Sequence, residues 1–126
     1  MKMRFSEALE LCLEGKKIRN GRWNGKNAFV YYVPGRMLPV SMWKECNGPL
    51  TEEEKSRGQV EIIGHLDMAT ADGKRIIGWL ASQYDLMSED WEVYESEAER
   101  KKRIEEADKL IDELDKEGFF DKVKGE

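Results

Sequence analysis

Ala28-Phe29-Val30-Tyr31-Tyr32-Val33 is the stretch of sequence that decides the fold. The six residues are β-prone, and Pro34-Gly35 closes the run with a turn signal. Because the run is apolar at both odd and even positions, both faces of the strand are expected to be covered. We therefore predict a central strand, or an outer strand that a second subunit covers.

The elements expected around this run give an α+β fold, with a short N-terminal helix on a mostly antiparallel sheet with long loops. A helix over 6–14, begun by Ser6 and ended by Gly15, is predicted from helical spacing of five apolar residues: Phe5, Ala8, Leu9, Cys12 and Leu13. Asn24-Gly25 and Asp72-Gly73 predict tight turns, since these residue types tolerate positive φ. Further strands are predicted at 16–20, 60–66, 75–77 and 91–94, and a helical turn at 79–86.

The segment 36–58 carries weaker signals. Thr51 and Glu54 have the spacing of a capping box, which predicts a helical turn. Trp43 has two open interpretations, a binding surface or a plug on the core. Two prolines are expected to break any regular element here: Pro39 and Pro49.

The last thirty residues predict a C-terminal amphipathic helix over 97–117, with a capping box at Ser96 and Glu99 and a stop at Gly118. We therefore divide the chain into a ligand-binding domain, 1–95, and a helical extension, 96–126. The apolar stripe is too thin to be buried alone, so the helix is expected to dock on the body or pair with another subunit. The stripe repeats every seven residues: Ile104, Ala107, Ile111 and Leu114.

The composition excludes several classes of protein. The formal net charge of the 126 residues is −5, whereas a duplex-binding protein needs a basic face, so no duplex nucleic acid is expected as a partner. No apolar run approaches the roughly 20 residues of a membrane span, and the N-terminus lacks the apolar stretch of a signal peptide. We therefore expect a cytoplasmic protein without membrane contact.

Residues for catalysis are scarce. His65 is the single histidine, and Cys12 and Cys46 are the two cysteines, too few for a zinc cluster or a disulfide framework. The chain has no Gly-x-Ser-x-Gly pattern and no P-loop. We therefore expect no metal, no cofactor and no enzymatic activity, and we place Cys12 in the core.

Two clusters mix aromatic rings with short polar side chains on turns, and they supply the candidate ligand-binding residues. The first cluster contains Trp23, Asn24, Gly25, Lys26, Phe29 and Tyr31. The second contains His65, Asp67, Thr70, Asp72, Ser82, Gln83 and Asp85. An aromatic plane can stack on a purine, contributing about 1–3 kcal/mol per base, while amides and hydroxyls bind its edge and its ribose. From the residues alone, the pattern favours a module that binds a small polar ligand, and the identity of that ligand stays open.

Structural roles compete with this interpretation. Asp72 is a typical turn former, and Asp67 with Thr70 can staple a loop. Trp23 lies inside a tight turn, where a core position is harder to reach, so ligand contact is favoured for it. Two other tryptophans are favoured as core residues: Trp79 and Trp91.

Over roughly 5–94 the chain resembles the Thoeris anti-defense 2 family, because a series of family motifs occurs in order. They are Phe5-x-Glu7-Ala8-Leu9, Gly15-Lys16-Lys17-Ile18, Trp23-Asn24-Gly25, Val33-Pro34-Gly35, His65-x-Asp67-Met68-x-Thr70-Ala71-Asp72-Gly73 and Trp79-Leu80-Ala81-Ser82-Gln83-x-Asp85, followed by Asp90-Trp91-Glu92-Val93. The most specific of these motifs is the stretch from Trp79 to Asp85 followed by Asp90-Trp91-Glu92. One departure is Asn20-Gly21-Arg22-Trp23-Asn24-Gly25, where the family usually shows Arg-x-Gly-Trp-Asn-Gly.

The resemblance implies a phage-encoded sponge in the host bacterial cytoplasm. Such proteins sequester, without degrading it, the glycocyclic ADP-ribose signal made by bacterial TIR-domain defence proteins. Some members also take up cyclic di- or trinucleotides in a separate site. The family assembles as a homotetramer with ligand pockets between subunits, so a homo-oligomer is expected here.

Two alternatives stay open at this point. An enzyme degrading the same nucleotide would use His65 with Asp67 or Asp85 as acid and base. A protein-interaction inhibitor would instead place the acidic helix 97–117 in the groove of a partner.

Overall fold

The computed structural model describes residues 2–25 and 27–116. It consists of two compact units, the first ending at Tyr94 and the second beginning at Glu95. The first unit combines helices with a five-stranded and a two-stranded antiparallel sheet, and the described part of the second contains one helix. The predicted α+β class, with an N-terminal helix, a mostly antiparallel sheet and a C-terminal helix, is confirmed. Among the helices of 2–25 and 27–116, none combines the length and the apolar character needed to cross a membrane.

The described elements follow one another in a simple order. They are α1 (Phe5–Leu13), β1 (Ile18–Asn20), β2 (Phe29–Val33), β3 (Arg36–Pro39), α2 (Glu52–Arg57), β4 (Gln59–Ile62), β5 (His65–Ala69), β6 (Arg75–Ile76), α3 (Gln83–Met87), β7 (Trp91–Val93) and α4 (Glu97–Lys116). The main sheet has the strand order β6-β5-β2-β1-β7. The doubly apolar run therefore forms the central strand β2, one of the two predicted positions.

Strands β2 to β5 form one bent ribbon. Val33 is opposite His65 on one side of the bend, and Arg36 is opposite Ile62 on the other, so the pairing register is the same in both sheets. The bend lies at Gly35 and Gly64, where a Cβ would approach backbone atoms to 3.0 Å or the Tyr32 hydroxyl to 2.5 Å. Because glycine has no Cβ, the two strands of the ribbon can approach closely at this bend, where the ribbon divides into two sheets.

This bend corrects the prediction of a single strand over 60–66. The segment forms the end of β4 and the start of β5. These strands belong to different sheets, because the extended conformation is interrupted at Ile63–Gly64. Pro39 does not break the adjacent strand; it is the last residue of β3. Since β3 pairs with β4 alone in its sheet, a proline that lacks an N–H is tolerated at this edge.

The core lies between α1 and one face of the main sheet. Its fully buried cluster is Ala8, Cys12, Ile18, Val30 and Trp91, which confirms the core positions predicted for Cys12 and Trp91. The helix begins at Phe5, so the prediction of Ser6 as its cap is wrong. Arg4 is the N-cap, and its backbone N–H donates to Glu7 Oε1. Gly15 follows the helix with a φ of +107°, as its predicted stop requires.

The tip of the ribbon contains α2 and two 3₁₀ turns, Val40–Met42 and Glu45–Asn47. The capping box is confirmed, because Thr51 Oγ1 accepts from Glu54 N–H and Glu54 Oε1 accepts from Thr51 N–H. Trp43 is half-buried, and its indole N–H donates to the carbonyl of Gly48 at 2.9 Å. The Trp43 side chain therefore stabilises the loop that contains it by a hydrogen bond within that loop.

In the second unit, Ser96 Oγ accepts from the backbone N–H of Glu99 at 3.1 Å and caps α4. Every residue of α4 is exposed except Leu114, which is half-buried. The predicted stop at Gly118 lies outside the described residues.

Candidate functional site

A cavity of about 270 Å³ opens beside the loop that follows β1. Its lining is Trp23, Asn24, Ala28, Met68, Thr70, Ala71 and Asp85. The loop 21–25, the ends of β2 and β5 and the start of α3 therefore meet here. Four of the predicted site residues lie together in this lining: Trp23, Asn24, Thr70 and Asp85.

Asp85 is the hydrogen-bonding centre of this region. Its Oδ1 accepts from Trp23 Nε1 at 2.8 Å and from Asn20 Nδ2 at 3.2 Å, and its Oδ2 accepts from Ser82 Oγ at 2.9 Å. The residue is 9% exposed. Both carboxylate oxygens therefore have neutral protein donors, and Asp85 is held as a structural acceptor.

Ser82 and Asp85 are positioned by the start of α3. The backbone N–H of Asp85 donates to Ser82 Oγ, so Ser82 is the N-cap. The helix consequently begins at Gln83 instead of at Trp79, and the predicted helical turn over 79–86 is wrong in its start. Gln83 is exposed on the first turn of α3.

Trp23 is half-buried and packs on the core from the cavity side. Its ring meets Trp91 edge-to-face at a centroid distance of 5.3 Å and Trp79 at 6.1 Å. The Trp23 side chain therefore both contacts the core and lines the cavity, two roles that were predicted as alternatives. Trp91 is fully buried and Trp79 half-buried, in agreement with their predicted core roles.

Sequence reasoning missed Asn20, which is completely buried. Its amide donates to Asp85, and its Oδ1 accepts from Arg22 N–H at 3.1 Å and Ser88 Oγ at 3.3 Å. It thus ties the loop 21–25 to α3. A polar residue at an inward position of a strand, just before a turn, was the signal that could have revealed it.

Phe29 and Tyr31 of the first cluster lie away from this cavity. Alternation along β2 puts Val30 and Tyr32 against the core, so Phe29 and Tyr31 lie on the opposite face of the sheet. Gly25 has a φ of +91° and forms the turn beside Asn24, which does not adopt positive φ. Lys26 lies outside the described residues. The structure therefore separates Trp23 from Phe29 and Tyr31.

His65 and Asp67 share that outer face with Phe29 and Tyr31, because Asp67 is opposite Tyr31 in the register. His65 Nε2 is 3.4 Å from Asp67 Oδ1, and His65 Nδ1 is 2.8 Å from the carbonyl of Ile63. Asp67 is buried and accepts from Gly78 N–H at 2.9 Å. If Nδ1 donates to the carbonyl, Nε2 can donate to Asp67 only when the ring is protonated.

Cations and rings alternate across the outer face. Phe29 stacks on Tyr94 at a centroid distance of 4.7 Å, and Lys17 Nζ lies 5.3 and 5.4 Å from the two centroids. The Arg75 guanidinium is 5.5 Å from the centroid of the Tyr31 ring. Together these side chains form a flat aromatic and basic surface that sequence periodicity did not indicate.

Thr70 and Asp72 build the turn between β5 and β6. Thr70 Oγ1 donates to the Asp72 carboxylate, and Lys74 N–H donates to Thr70 Oγ1 at 2.9 Å. The Thr70 hydrogen bond is the main cause that lowers the pKa of Asp72, with Lys74 second. Asp72 therefore has the turn-forming role that competed with ligand contact.

The described residues offer little for acid–base or metal chemistry. Within 2–25 and 27–116, no group of three or more His, Cys, Asp or Glu side chains is arranged to hold a metal. Asp85 is occupied by its donors, and the His65–Asp67 pair lies on the other face of the sheet from the cavity wall formed by Trp23.

The fold and the site define a small α+β domain with an aromatic and polar cavity at one end of its sheet. A sequence model of the Tad2-like family, the Thoeris anti-defense 2-like domain, matches residues 3–94, so this chain belongs to that family. A relative named Thoeris anti-defense 2, from Bacillus phage SP01, is 27% identical over 92 residues, which are 73% of this chain and 94% of the relative. The matched part ends before α4.

Proposed function

We propose that this chain is an anti-defence sponge that binds a cyclic ADP-ribose-type signal of TIR-domain proteins and holds it intact. Family membership supports an anti-defence role. The observation that carries the ligand proposal is the cavity in which the fixed Trp23 indole lies beside the polar side chains of Asn24 and Thr70. An indole beside short polar groups suits a purine and its ribose.

The size of the cavity supports an oligomer. Its volume of about 270 Å³ falls below the roughly 300–1,000 Å³ typical of small-molecule pockets. We propose that one chain supplies part of the pocket and that a second copy completes it in a homotetramer. The stack of Phe29 and Tyr94 with Lys17 offers a second surface suited to planar, anionic ligands, so cyclic di- and trinucleotides belong in the same screen.

A capture-and-release assay tests the proposal. The full chain, in excess over glycocyclic ADP-ribose, is separated from free ligand by ultrafiltration and then heated. We expect the free ligand to be depleted before heating and to return with unchanged mass and retention time afterwards. Undiminished free ligand would refute sequestration. A sponge needs high affinity, and a Kd of about 1 nM corresponds to about −12 kcal/mol.

A matched pair of variants tests the site itself. Asn24 and Asn27 are both exposed and neighbours in sequence, but Asn24 lines the cavity. We expect Asn24→Ala to weaken binding by about tenfold, corresponding to one or two lost hydrogen bonds, and Asn27→Ala to leave it unchanged. If calorimetry gave Asn24→Ala and Asn27→Ala the same affinity for the ligand, Asn24 would not be part of the binding site.

The enzyme alternative is tested in the same assay. The proximity of His65 to Asp67 is the observation that favours it. A hydrolase would return products of altered mass, and His65→Ala would abolish their formation. A sponge releases the original ligand.

A further inference from the structure

The helix α4 carries a seven-residue repeat, of charged residues along its whole length and of apolar residues from Ile104 onwards. Counted from Glu97, the third position of each seven is Glu99, Glu106 and Glu113, and the sixth is Lys102, Lys109 and Lys116. The first position is isoleucine in the second and third sevens, Ile104 and Ile111. A straight helix drifts about 20° for every seven residues, so a repeat of this kind stays in line only along a supercoiled partner.

Ile104, Ala107, Ile111 and Leu114 form a narrow apolar seam, and the other positions of α4 are charged apart from Ala98 and Leu110. Ile104 is 43% exposed and Ile111 51% exposed, and Ala107 between them is also exposed. From Ile104 to Leu114 the seam takes two positions in seven, the width of a coiled-coil seam, whereas a helix on a globular core shows a broader stripe. Leu110 beside the seam is also exposed, and in the first seven residues the seam positions are Glu97 and Arg100. The seam lies outside residues 3–94, so the family match does not account for it.

We propose that α4 pairs in parallel with α4 of a second copy of this chain. β-branched residues at the first seam position and leucine at the fourth favour parallel two-stranded coiled coils. Ile104 and Ile111 occupy the first position and Leu114 the fourth. In a parallel pair, Arg103 at the seventh position of one helix, which also bonds Glu95 of its own chain at 2.9 Å, faces Asp108 at the fifth position of the other. One pair of opposite charges therefore lies on each side of the seam.

The pairing would give this chain an association element of its own. It joins two binding domains through α4, whether or not the domains also contact one another. Because the two domains are linked, each raises the local concentration of the ligand-binding surface of the other.

Interchain disulfide formation in the full chain tests both the pairing and its direction. Exposed Cys46 is first replaced by serine, and Cys12 is buried. Ala107→Cys and Leu114→Cys are then made separately on the seam, with Lys109→Cys on the outer side as control. The two seam positions lie about 10 Å apart along the axis, from 1.5 Å per residue. An antiparallel pair can bring at most one of them opposite its own copy.

We expect both seam cysteines to cross-link about tenfold faster than the control under mild oxidation. Adding Ile104→Gln and Ile111→Gln should abolish this advantage, whereas adding Glu106→Gln and Glu113→Gln should preserve it, since glutamine is a good helix former in both pairs. Equal rates at seam and control positions, cross-linking at one seam position alone, or an advantage that survives the isoleucine changes would each overturn the proposal.

Discussion

The indole N–H of Trp23 donates to Oδ1 of Asp85 across 2.8 Å, although the two residues are 62 positions apart in sequence. The hydrogen bond joins the loop after β1 to the first turn of α3. The same aspartate accepts the indole N–H of Trp91 through its backbone carbonyl at 2.7 Å. One short helix therefore orients a tryptophan of the cavity and a tryptophan of the core.

Removing this acceptor should destabilise the fold and the site together. Asp85→Ala leaves the buried donors of Asn20 and Trp23 without a partner, which should lower the free energy of unfolding by about 3 kcal/mol. Asp85→Asn should lose less, because it keeps an acceptor oxygen. Urea denaturation measures both changes, and exposed Gln83→Ala on the same helix is the control. A loss within 0.5 kcal/mol, roughly the range of ordinary surface substitutions, would contradict the role assigned to Asp85.

The turn at Gly25 should be sensitive for two reasons. Its φ is +91°, and an added Cβ would lie 2.8 Å from the Cβ of Ala71 in the cavity wall. Gly73 has a similar φ of +84° but nothing within 4 Å of an added Cβ. Both alanine variants should lose about 1–2 kcal/mol from the left-handed backbone. Gly25→Ala should lose more in thermal unfolding and also bind ligand more weakly, whereas Gly73→Ala should bind normally.

The pKa of Asp72 is lowered, first by the hydrogen bond from the Thr70 hydroxyl. We therefore predict that the free energy of unfolding decreases in acid. Folding favours the ionised carboxylate, so its contribution is complete above the unfolded pKa of about 3.9 and is lost as the pH falls through the lower folded pKa. Asp72→Asn should therefore be less stable than the parent at pH 7, and the difference should close in strong acid. Urea titrations at a series of pH values measure it, with Asp112→Asn on α4 as a charge-matched control. A gap that is constant with pH would argue against the Thr70–Asp72 contact.

The two cysteines should differ in reactivity. Burial raises the pKa of the Cys12 thiol and removes it from solvent, whereas Cys46 is exposed in the loop at the ribbon tip. Because the thiolate is the reactive form, an alkylating reagent at neutral pH should modify Cys46 rapidly and Cys12 only on unfolding. Mass spectrometry of the native and urea-treated protein distinguishes the sites. Rapid modification of Cys12 in the native protein would show that α1 opens readily.

The helices α1 and α4, the central strand β2 and the capping box at Thr51 could all be predicted, because each depends on residues close in sequence. The division of 60–66 between two sheets could not, because the bend arises where Gly35 and Gly64 meet across the ribbon. The candidate site was predicted in part. Trp23, Asn24, Thr70 and Asp85 line one cavity, whereas Phe29 and Tyr31 lie on the other face of the sheet.

The sequence by itself determined α1, α4, the central strand and the kinds of side chain available for a ligand, because propensity, capping and periodicity act over a few residues. Only the tertiary structure decided which of those side chains meet. The alternation of a strand sends Tyr31 away from Trp23, and a hydrogen bond across 62 residues sets the position of the indole. Such contacts depend on the packing of distant segments, which local sequence patterns do not encode.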